Sequence, residues 1–157
     1  MPFLIDGYNV LRMIEKIYDE SVTDVRMCQI VGRYLRKIND SGQMIFDGIG
    51  PPDKTGMYDI MNLEVIFTGA NTDADTVIEE KIRINTAPRR LSIVSSDLRI
   101  RKAARTRKAT DIRSDEFWSD VEKELGKKGG VKEPSQKRYG LTEGETDEWL
   151  GLFGLDQ

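Results

Sequence analysis

The sequence contains no histidine and a single cysteine, Cys28, among its 157 residues. The absence of histidine removes the side chain that most often transfers protons near neutral pH. It therefore excludes Ser–His and Cys–His nucleophiles and His-ligated zinc. One cysteine can form neither an intrachain disulfide nor a zinc site by itself, and the helical pattern around Cys28 favours a place in the core. A hydrolase with this composition would have to work with carboxylates and hard cations.

Long apolar runs are also missing from the sequence. No run approaches the roughly 20 residues that span a bilayer, and the N-terminus has neither the basic region nor the small-residue cleavage site of a secretory signal. With no disulfide to suggest an oxidising compartment, we expect a cytoplasmic protein that does not bind membranes. The length and the hydrophobic content of 38% suit one domain with one core.

Short apolar runs alternate with helical patterns along the chain. This alternation predicts βαβ units and a parallel sheet covered by helices on both faces. We expect Asp24 and Thr72 to be N-caps, with Asp75 as the capping-box partner of Thr72. The predicted strands lie at residues 2–5, 43–46, 63–69, 91–94 and 109–112, and the predicted helices at residues 10–17, 24–38 and 72–85, after Asp97, and from about Ser114.

Four acidic residues follow these predicted strands. Asp6, Asp47 and Asp97 each come just after the end of a strand, and Asp75 lies in the first turn of a helix that follows another. In a parallel α/β sheet the carboxyl ends of the strands meet at one edge, where such proteins bind their ligands. A turn or a helix cap explains each acid singly. Four carboxylates gathered at one edge repel one another, however, and a folded protein accepts that cost readily only with a cation among them.

Glu79 adds a candidate ligand, because it lies four residues after Asp75 and shares its helix face. Asp73 points elsewhere on the helix and suits a capping or solvated role. A site made of oxygen ligands, without histidine or thiolate, favours Mg²⁺ or Mn²⁺. Such a cation can activate water and neutralise the charge of a phosphate under attack.

Six basic residues and no acid occur between residues 99 and 108, although the net charge of the chain is −3. Arg101, Arg105 and Lys108 would share a helix face and repel one another. Arg99 and Lys102, with Arg101, would oppose the helix dipole in the first turns. Because local electrostatics disfavours this arrangement, binding of a phosphodiester backbone would explain it; a solvated helix face is the alternative.

In order and spacing, the segments LIDGYNVL, DADTVIEEKI, VSSDLRIRKAA and DIRSDEFW resemble NYN domains of the PIN-like ribonuclease superfamily, and most closely the YacP-like branch. The resemblance covers about residues 3–125. It implies a three-layer α/β/α sandwich on a parallel five-stranded sheet, with Mg²⁺- or Mn²⁺-dependent endonuclease activity on RNA. The acids that it assigns to catalysis and metal binding are Asp6, Asp75 and Asp97, with Asp47 and Glu79 as plausible outer ligands.

The same resemblance suggests supporting roles. Asn9 matches the motif asparagine and would orient the site, and Ser96 could contact a water molecule or a phosphate at the metal. The sequence does not say which RNA is the substrate, or whether a ribosome, a tRNA or a partner protein presents it. The residues expected to bind the RNA are Arg99, Arg101, Lys102, Arg105 and Lys108.

The chain divides into a predicted nuclease domain, residues 1–125, and a Gly/Lys-rich linker with a short C-terminal helix, residues 126–157. Trp149, Leu152 and Phe153 would form an apolar stripe on that helix. An isolated helix this short is marginal in water, so the stripe needs a cover. The cover could be the domain's own surface, a second copy of the chain in a homodimer, or a partner protein.

Other functions fit the sequence less well. An RNA-binding module that has lost catalysis remains an alternative, although all three core acids are present. A receiver domain would show an acidic pair after the first strand, where Asp6 stands alone. An aspartyl phosphatase would show a second acid two residues later, where Tyr8 stands. No P-loop and no G-x-G-x-x-G follows a strand, so nucleotide cofactors are not expected.

Overall fold

The computed structural model describes residues 2–19 and 21–126, which form five strands and five α-helices. The linker and the short helix expected between residues 127 and 157 lie outside the described residues. None of the described helices is long and apolar enough to cross a membrane. The strands are β1 (Phe3–Asp6), β2 (Gly42–Phe46), β3 (Leu63–Phe67), β4 (Ser92–Val94) and β5 (Thr110–Ile112), and the helices are α1 (Gly7–Tyr18), α2 (Asp24–Lys37), α3 (Ala74–Ile84), α4 (Leu98–Thr106) and α5 (Ser114–Gly126).

All five strands run parallel in one sheet, in the order β3-β2-β1-β4-β5. The sheet confirms the fold class expected from the alternating pattern and from the resemblance. Each face of β1 contributes to a separate apolar cluster. Phe3 and Ile5 pack with α1, α2 and α5, whereas Leu4 packs with α3 and α4. Because alternate residues of a strand point to opposite faces, the three apolar residues of β1 cover both faces of the sheet and three layers result.

The strand order places a topological switch point between β1 and β4. The chain builds the sheet outward from β1 through β2 to β3 and then crosses to the other side of β1 to form β4. The loops that follow β1 and β4 therefore leave the sheet in opposite directions and open a crevice between them. Asp6 ends β1, and residues 95–97 follow β4. The sheet thus brings the first and last of the predicted acids to the same crevice.

Two of the predicted helix caps are wrong by one residue. Thr23, not Asp24, caps α2, and its Oγ1 accepts a hydrogen bond from the Arg26 amide at 3.1 Å. Asp73, not Thr72, caps α3, so the expected capping box with Asp75 does not form. Asp73 and Thr23 both have the extended backbone that a cap needs, and each helix begins one residue after its cap. Asp73 therefore has the capping role considered for it, and Asp75 is left without one.

The two Asp-Gly pairs that follow β1 and β2 serve different purposes. Gly48 has a φ of +82°, so the pair after β2 is a turn that needs glycine. Gly7 instead begins α1 directly after β1, and a Cβ atom there would overlap the ring of Phe46. That ring is fully buried and lies against Tyr8 and Phe67, with ring centroids 4.8 and 5.3 Å away. The first glycine is therefore required by packing, not by a turn.

We expect Gly7→Ala to lower the free energy of unfolding by about 1–3 kcal/mol, because the added methyl group overpacks a core that cannot yield freely. Gly126→Ala, in another helical glycine with open space around it, is the matched control and should cost less than about 0.5 kcal/mol. Urea unfolding of both variants measures the difference. Equal stability of the two would show that the Phe46 ring moves aside easily.

Candidate functional site

Asp6 is the most buried acid of the site. It ends the central strand β1 and is 7% exposed, and its Oδ2 accepts a hydrogen bond of 2.9 Å from the Ser95 hydroxyl. Ser95 follows β4 and is fully buried. Its hydroxyl oxygen also accepts a hydrogen bond of 3.0 Å from the Asp97 amide. One serine therefore connects the acid at the end of β1 to the acid that begins α4.

Burial and neighbouring charges act together on Asp6. Burial, the largest cause, and the charges of Asp75, Asp97 and Asp47 together raise the pKa of its carboxyl to about 6, although the hydrogen bond from Ser95 lowers it. The same causes raise the pKa of Asp75, first burial and then Asp97. The four acids predicted to meet at this edge are thus within electrostatic range of one another. The structure brings them together as the strand order requires.

Two of these acids also hold helices in place. Asp97 is the N-cap of α4, and its Oδ1 accepts hydrogen bonds from the amides of Arg99 and Ile100 at 2.9 and 3.3 Å. Asp47 accepts a hydrogen bond from the Ala74 amide at the start of α3. A carboxylate has about four acceptor positions, so one or two amide bonds leave room for a cation. The capping explanation is therefore correct for Asp97, and it does not compete with metal binding.

Whether these residues fit a metal ion depends on donor type, charge and geometry. The donors are all carboxylate oxygens, and they repel one another. A hard divalent cation would neutralise their excess negative charge. Within residues 2–19 and 21–126, however, no three acidic or thiol side chains stand close enough to hold one ion. The chemistry of Asp6, Asp75 and Asp97 therefore fits Mg²⁺ or Mn²⁺, and their assignment as ligands stays a prediction.

Glu79 forms an ion pair with Arg99 of α4. Its two carboxylate oxygens accept hydrogen bonds from Nε and Nη2 of Arg99, at 2.8 and 2.6 Å. A two-bond guanidinium–carboxylate pair of this kind connects α3 to the first turn of α4. Glu79 was expected to be near the metal, and Arg99 was expected to bind RNA. In this structure the two side chains pair with each other.

Asn9 and Ser96 belong to a second hydrogen-bond network beside the acids. The side-chain oxygen of Asn9 accepts a hydrogen bond of 2.9 Å from the Ser96 amide, and a second one from the Ser114 hydroxyl. The Ser96 hydroxyl oxygen accepts a hydrogen bond of 3.1 Å from the Ser114 amide. Asn9 thus connects α1, the loop after β4 and the start of α5, and its role in orienting the site stays a prediction. The Ser96 side chain is engaged at α5, and its contact with a ligand stays a prediction.

The basic run on and after α4 is partly neutralised, which corrects the expectation of mutual repulsion. Asp111 of β5 lies between Arg101 and Arg105 and accepts hydrogen bonds from their Nε atoms, at 3.0 and 2.7 Å. Burial would raise the pKa of Asp111, but the two arginines outweigh it and lower that pKa below its usual value. Arg107 donates to the backbone carbonyls of Ile82 and Asn85 at the end of α3.

Lys102 and Lys108 differ from these arginines. Both are exposed, and in the described part of the chain neither ammonium group forms an ion pair with an acid. Of the five residues expected to bind RNA, these two keep their charge available to solvent. The three arginines form ion pairs that hold α4 against α3 and β5.

The sequence interpretation missed Ser95 and Asp111, and a signal existed for the first. Ser95 continues the apolar run of β4, and a buried hydroxyl must find a hydrogen-bond partner, which points to a functional neighbour. No sequence signal marked Asp111, because its pairing with Arg101 and Arg105 depends on how α4 packs against β5.

A parallel α/β/α sandwich with acids at its switch point and a basic helix beside them defines a PIN-like domain of the nuclease type. The chain belongs to the YacP-like NYN domain family, whose model matches residues 3–148. This match confirms the resemblance stated from the motifs. It extends beyond residue 125, and the domain boundary placed there stays a prediction.

Solved structures show the same fold. The crystal structure of Rae1 (YacP) from Bacillus subtilis is 22% identical and covers 98% of this chain and 92% of its own, with a TM-score of 0.67. The W164L mutant of that protein is 21% identical and covers 97% and 91%, with a TM-score of 0.64. At such identities the likeness concerns the fold. No protein with a curated description matched the sequence.

We expect Asp6→Asn to stabilise the metal-free protein in a pH-dependent way. The pKa of Asp6 is about 6 in the folded protein and 3.8 ordinarily. Between pH 4 and pH 6 the folded state therefore keeps a proton that the unfolded chain has released. The wild type loses stability as the pH rises through this window, by up to about 3 kcal/mol relative to the variant.

The measurement is urea unfolding of both proteins with chelator present, at half-unit steps from pH 4 to pH 8. The difference should grow to about pH 6.5 and then stay level. A difference that is constant over the whole range would show that Asp6 titrates as an ordinary surface acid.

Ser95→Ala should destabilise the fold by about 1–3 kcal/mol, because it leaves the buried Asp6 carboxylate and the Asp97 amide each without a hydrogen-bond partner. Ser119→Ala on α5, which removes a hydroxyl from a half-exposed position, is the control and should cost less than about 0.5 kcal/mol. Chemical denaturation at pH 7.5 compares them. An equal, small effect in both variants would show that Ser95 does not hold the two acids together.

Proposed function

We propose that this protein is a metal-dependent endoribonuclease that hydrolyses RNA phosphodiester bonds at the crevice between β1 and β4. The observation that carries the proposal is the gathering of Asp6, Asp47, Asp75 and Asp97 at that crevice, where the other three carboxylates raise the pKa of the buried Asp6. Family membership supports a nuclease-type domain. The finer assignments, to RNA, to internal cleavage, to Mg²⁺ or Mn²⁺ and to the cytoplasm, belong to the proposal.

Asp6, Asp75 and Asp97 are the residues that would hold the cation. Its chemistry there is to make a water molecule nucleophilic near neutral pH and to neutralise the charge that develops on the phosphate. Asp6 supplies a carboxylate fixed by burial and by Ser95, and Asn9 keeps the neighbouring loop in position. A fixed ligand reduces the reorganisation that a reaction would otherwise require.

Asp47 and Glu79 would act at a greater distance. Asp47 is engaged with the Ala74 amide, and Glu79 with Arg99. If Glu79 turned toward a cation it would release Arg99, whose guanidinium could then pair with a phosphate. Binding of the metal and binding of the substrate would then both favour separation of the Glu79–Arg99 ion pair.

A second candidate is an RNA-binding module without catalysis. The specific observation in its favour is that no three acids of the described residues are arranged to hold one ion. Asp97 and Asp47 would then be helix caps, and the basic helix α4 would be the functional surface. The two candidates differ in one property, which is cleavage that depends on the acids.

The test is cleavage of a circular single-stranded RNA by the full-length protein, first with chelator and then with Mn²⁺ or Mg²⁺. A circle has no ends, so its conversion to a linear product reports an internal cut. We expect cleavage only with the cation. Asp97→Asn should lose it by about 100-fold or more, in line with the several kcal/mol that a catalytic cation supplies.

The matched control is Asp73→Asn, an exposed cap on the same edge that is not assigned to the site. It should keep at least half of the wild-type rate. Bound but uncut RNA in every condition would favour the binding module. Cleavage that persists in Asp97→Asn and Asp6→Asn would contradict both the metal site and the proposed catalytic acids.

We expect the lysines to contribute more than the arginines to RNA affinity that depends on salt. The double variant Lys102→Gln with Lys108→Gln should weaken binding and reduce the log–log salt slope by about 1.4, since each phosphate contact on a single strand contributes about 0.7. Lys16→Gln, in an exposed lysine of the last turn of α1, controls for net charge. A slope that changes equally in the control would show that α4 is not the contact surface.

A further inference from the structure

A groove of about 840 Å³ lies at the amino-terminal edge of the sheet, opposite the acids. It is bordered by the first residues of β1, β2 and β3, by the segment before β3, and by the end of α3 with Asn85, Thr86 and Leu91. Its volume lies within the range of roughly 300–1,000 Å³ that is common for pockets that bind ligands. The function proposed above uses no residue of this groove.

Apolar side chains are unusually exposed along this groove. Tyr58, in the segment before β3, and Ile84, at the end of α3, line it and are 63% and 58% exposed. Large apolar side chains grouped in this way mark surfaces that another segment covers.

The described chain ends at the same edge of the sheet. Helix α5 begins beside the acids, where Ser114 contacts the loop after β4, and runs back across the sheet. Near its end, the Glu124 carbonyl accepts a hydrogen bond of 2.6 Å from the ammonium group of Lys37. Lys37 ends α2 a few residues before Gly42, and Gly42 lines the groove. Residues 127–157 therefore start from the edge that carries the groove.

The sequence beyond Gly126 has the composition to fill such a groove. It carries Trp149, Leu152 and Phe153 within five positions. The number of residues between Gly126 and Trp149 permits a separation of about 25 Å, because even a random coil of that length averages roughly 5–6 Å times the square root of its residue number. Four neighbouring strands span only about 15 Å. The apolar residues can therefore reach any part of the groove in the same molecule.

We propose that the groove at the amino-terminal edge is the docking site of this chain's own C-terminal segment, with Trp149, Leu152 and Phe153 in contact with Tyr58 and Ile84. The segment covers the apolar surface of the groove in cis and leaves the crevice with the acids open to RNA. This docking is independent of whether the acids bind metal.

The test is crosslinking in the full-length chain. Ile84→Cys and Leu152→Cys place one thiol in the groove and one in the segment, and the single native cysteine is fully buried. Ile49→Cys with Leu152→Cys is the control, because Ile49 is similarly exposed, at 66%, but follows β2 at the opposite edge. A short bis-maleimide is added to dilute protein, and the products are identified by intact mass and peptide mapping.

We expect an intramolecular crosslink in the Ile84 pair, at a rate several-fold above the Ile49 pair. Crosslinked dimers would show that a second copy supplies the segment and would overturn docking in cis. Equal rates in the two pairs would show that the segment has no preferred place and would overturn the proposal altogether.

A stability cycle gives a second, independent measurement. Ile84→Arg and Phe153→Ser should each lower the melting temperature of the full-length protein by about 2–4 °C, and the double variant should lose no more than either one, because both remove the same contact. Ile17→Arg is the matched control, since Ile17 is 57% exposed on α1. Its effect should add to that of Phe153→Ser. Additive effects in both pairs would overturn the proposal.

Discussion

The site depends on the hydrogen bond between the Ser95 hydroxyl and the carboxylate of Asp6. Asp6 is buried at the end of the central strand, where an ionised carboxyl is costly unless it has partners. Ser95 supplies one partner and at the same time accepts a hydrogen bond from the Asp97 amide. The strand that starts the sheet and the helix that begins after β4 are thereby held together across the switch point. The remaining acids take their positions relative to this pair.

Charge of both signs is organised around this edge. At the crevice, burial and, to a smaller extent, the charges of the neighbouring acids raise the pKa values of Asp6 and Asp75. Beside them, Glu79 and Asp111 bind the arginines of α4 and fix that helix to α3 and β5. The lysines stay exposed. A polyanion that approached this edge would first meet the exposed lysines and then the acids of the crevice. The acids would repel a phosphodiester unless a cation screened them.

Helix α5 runs from the edge of the sheet that carries the acids to the opposite, amino-terminal edge. Its first residue, Ser114, contacts Asn9 and Ser96 beside the acids, and its last turn lies against Lys37 at the opposite edge. Phe117, Trp118 and Val121 bury its inner face in the core. A segment docked at the amino-terminal edge would therefore follow a helix that is anchored in the core, at a distance from the acids.

The sequence by itself determined the parallel α/β fold, the family and the four acids at one edge, because strand alternation and the position of each acid after a strand are local patterns. It also indicated Asp73 as a cap. Only the tertiary structure decided which charged side chains form ion pairs with each other. Glu79 pairs with Arg99, and Asp111 with two arginines of α4, because helices distant in sequence pack side by side. The role of Ser95 was decided in the same way, since β1 and β4 are neighbours in the sheet and 89 residues separate Ser95 from Asp6 along the chain.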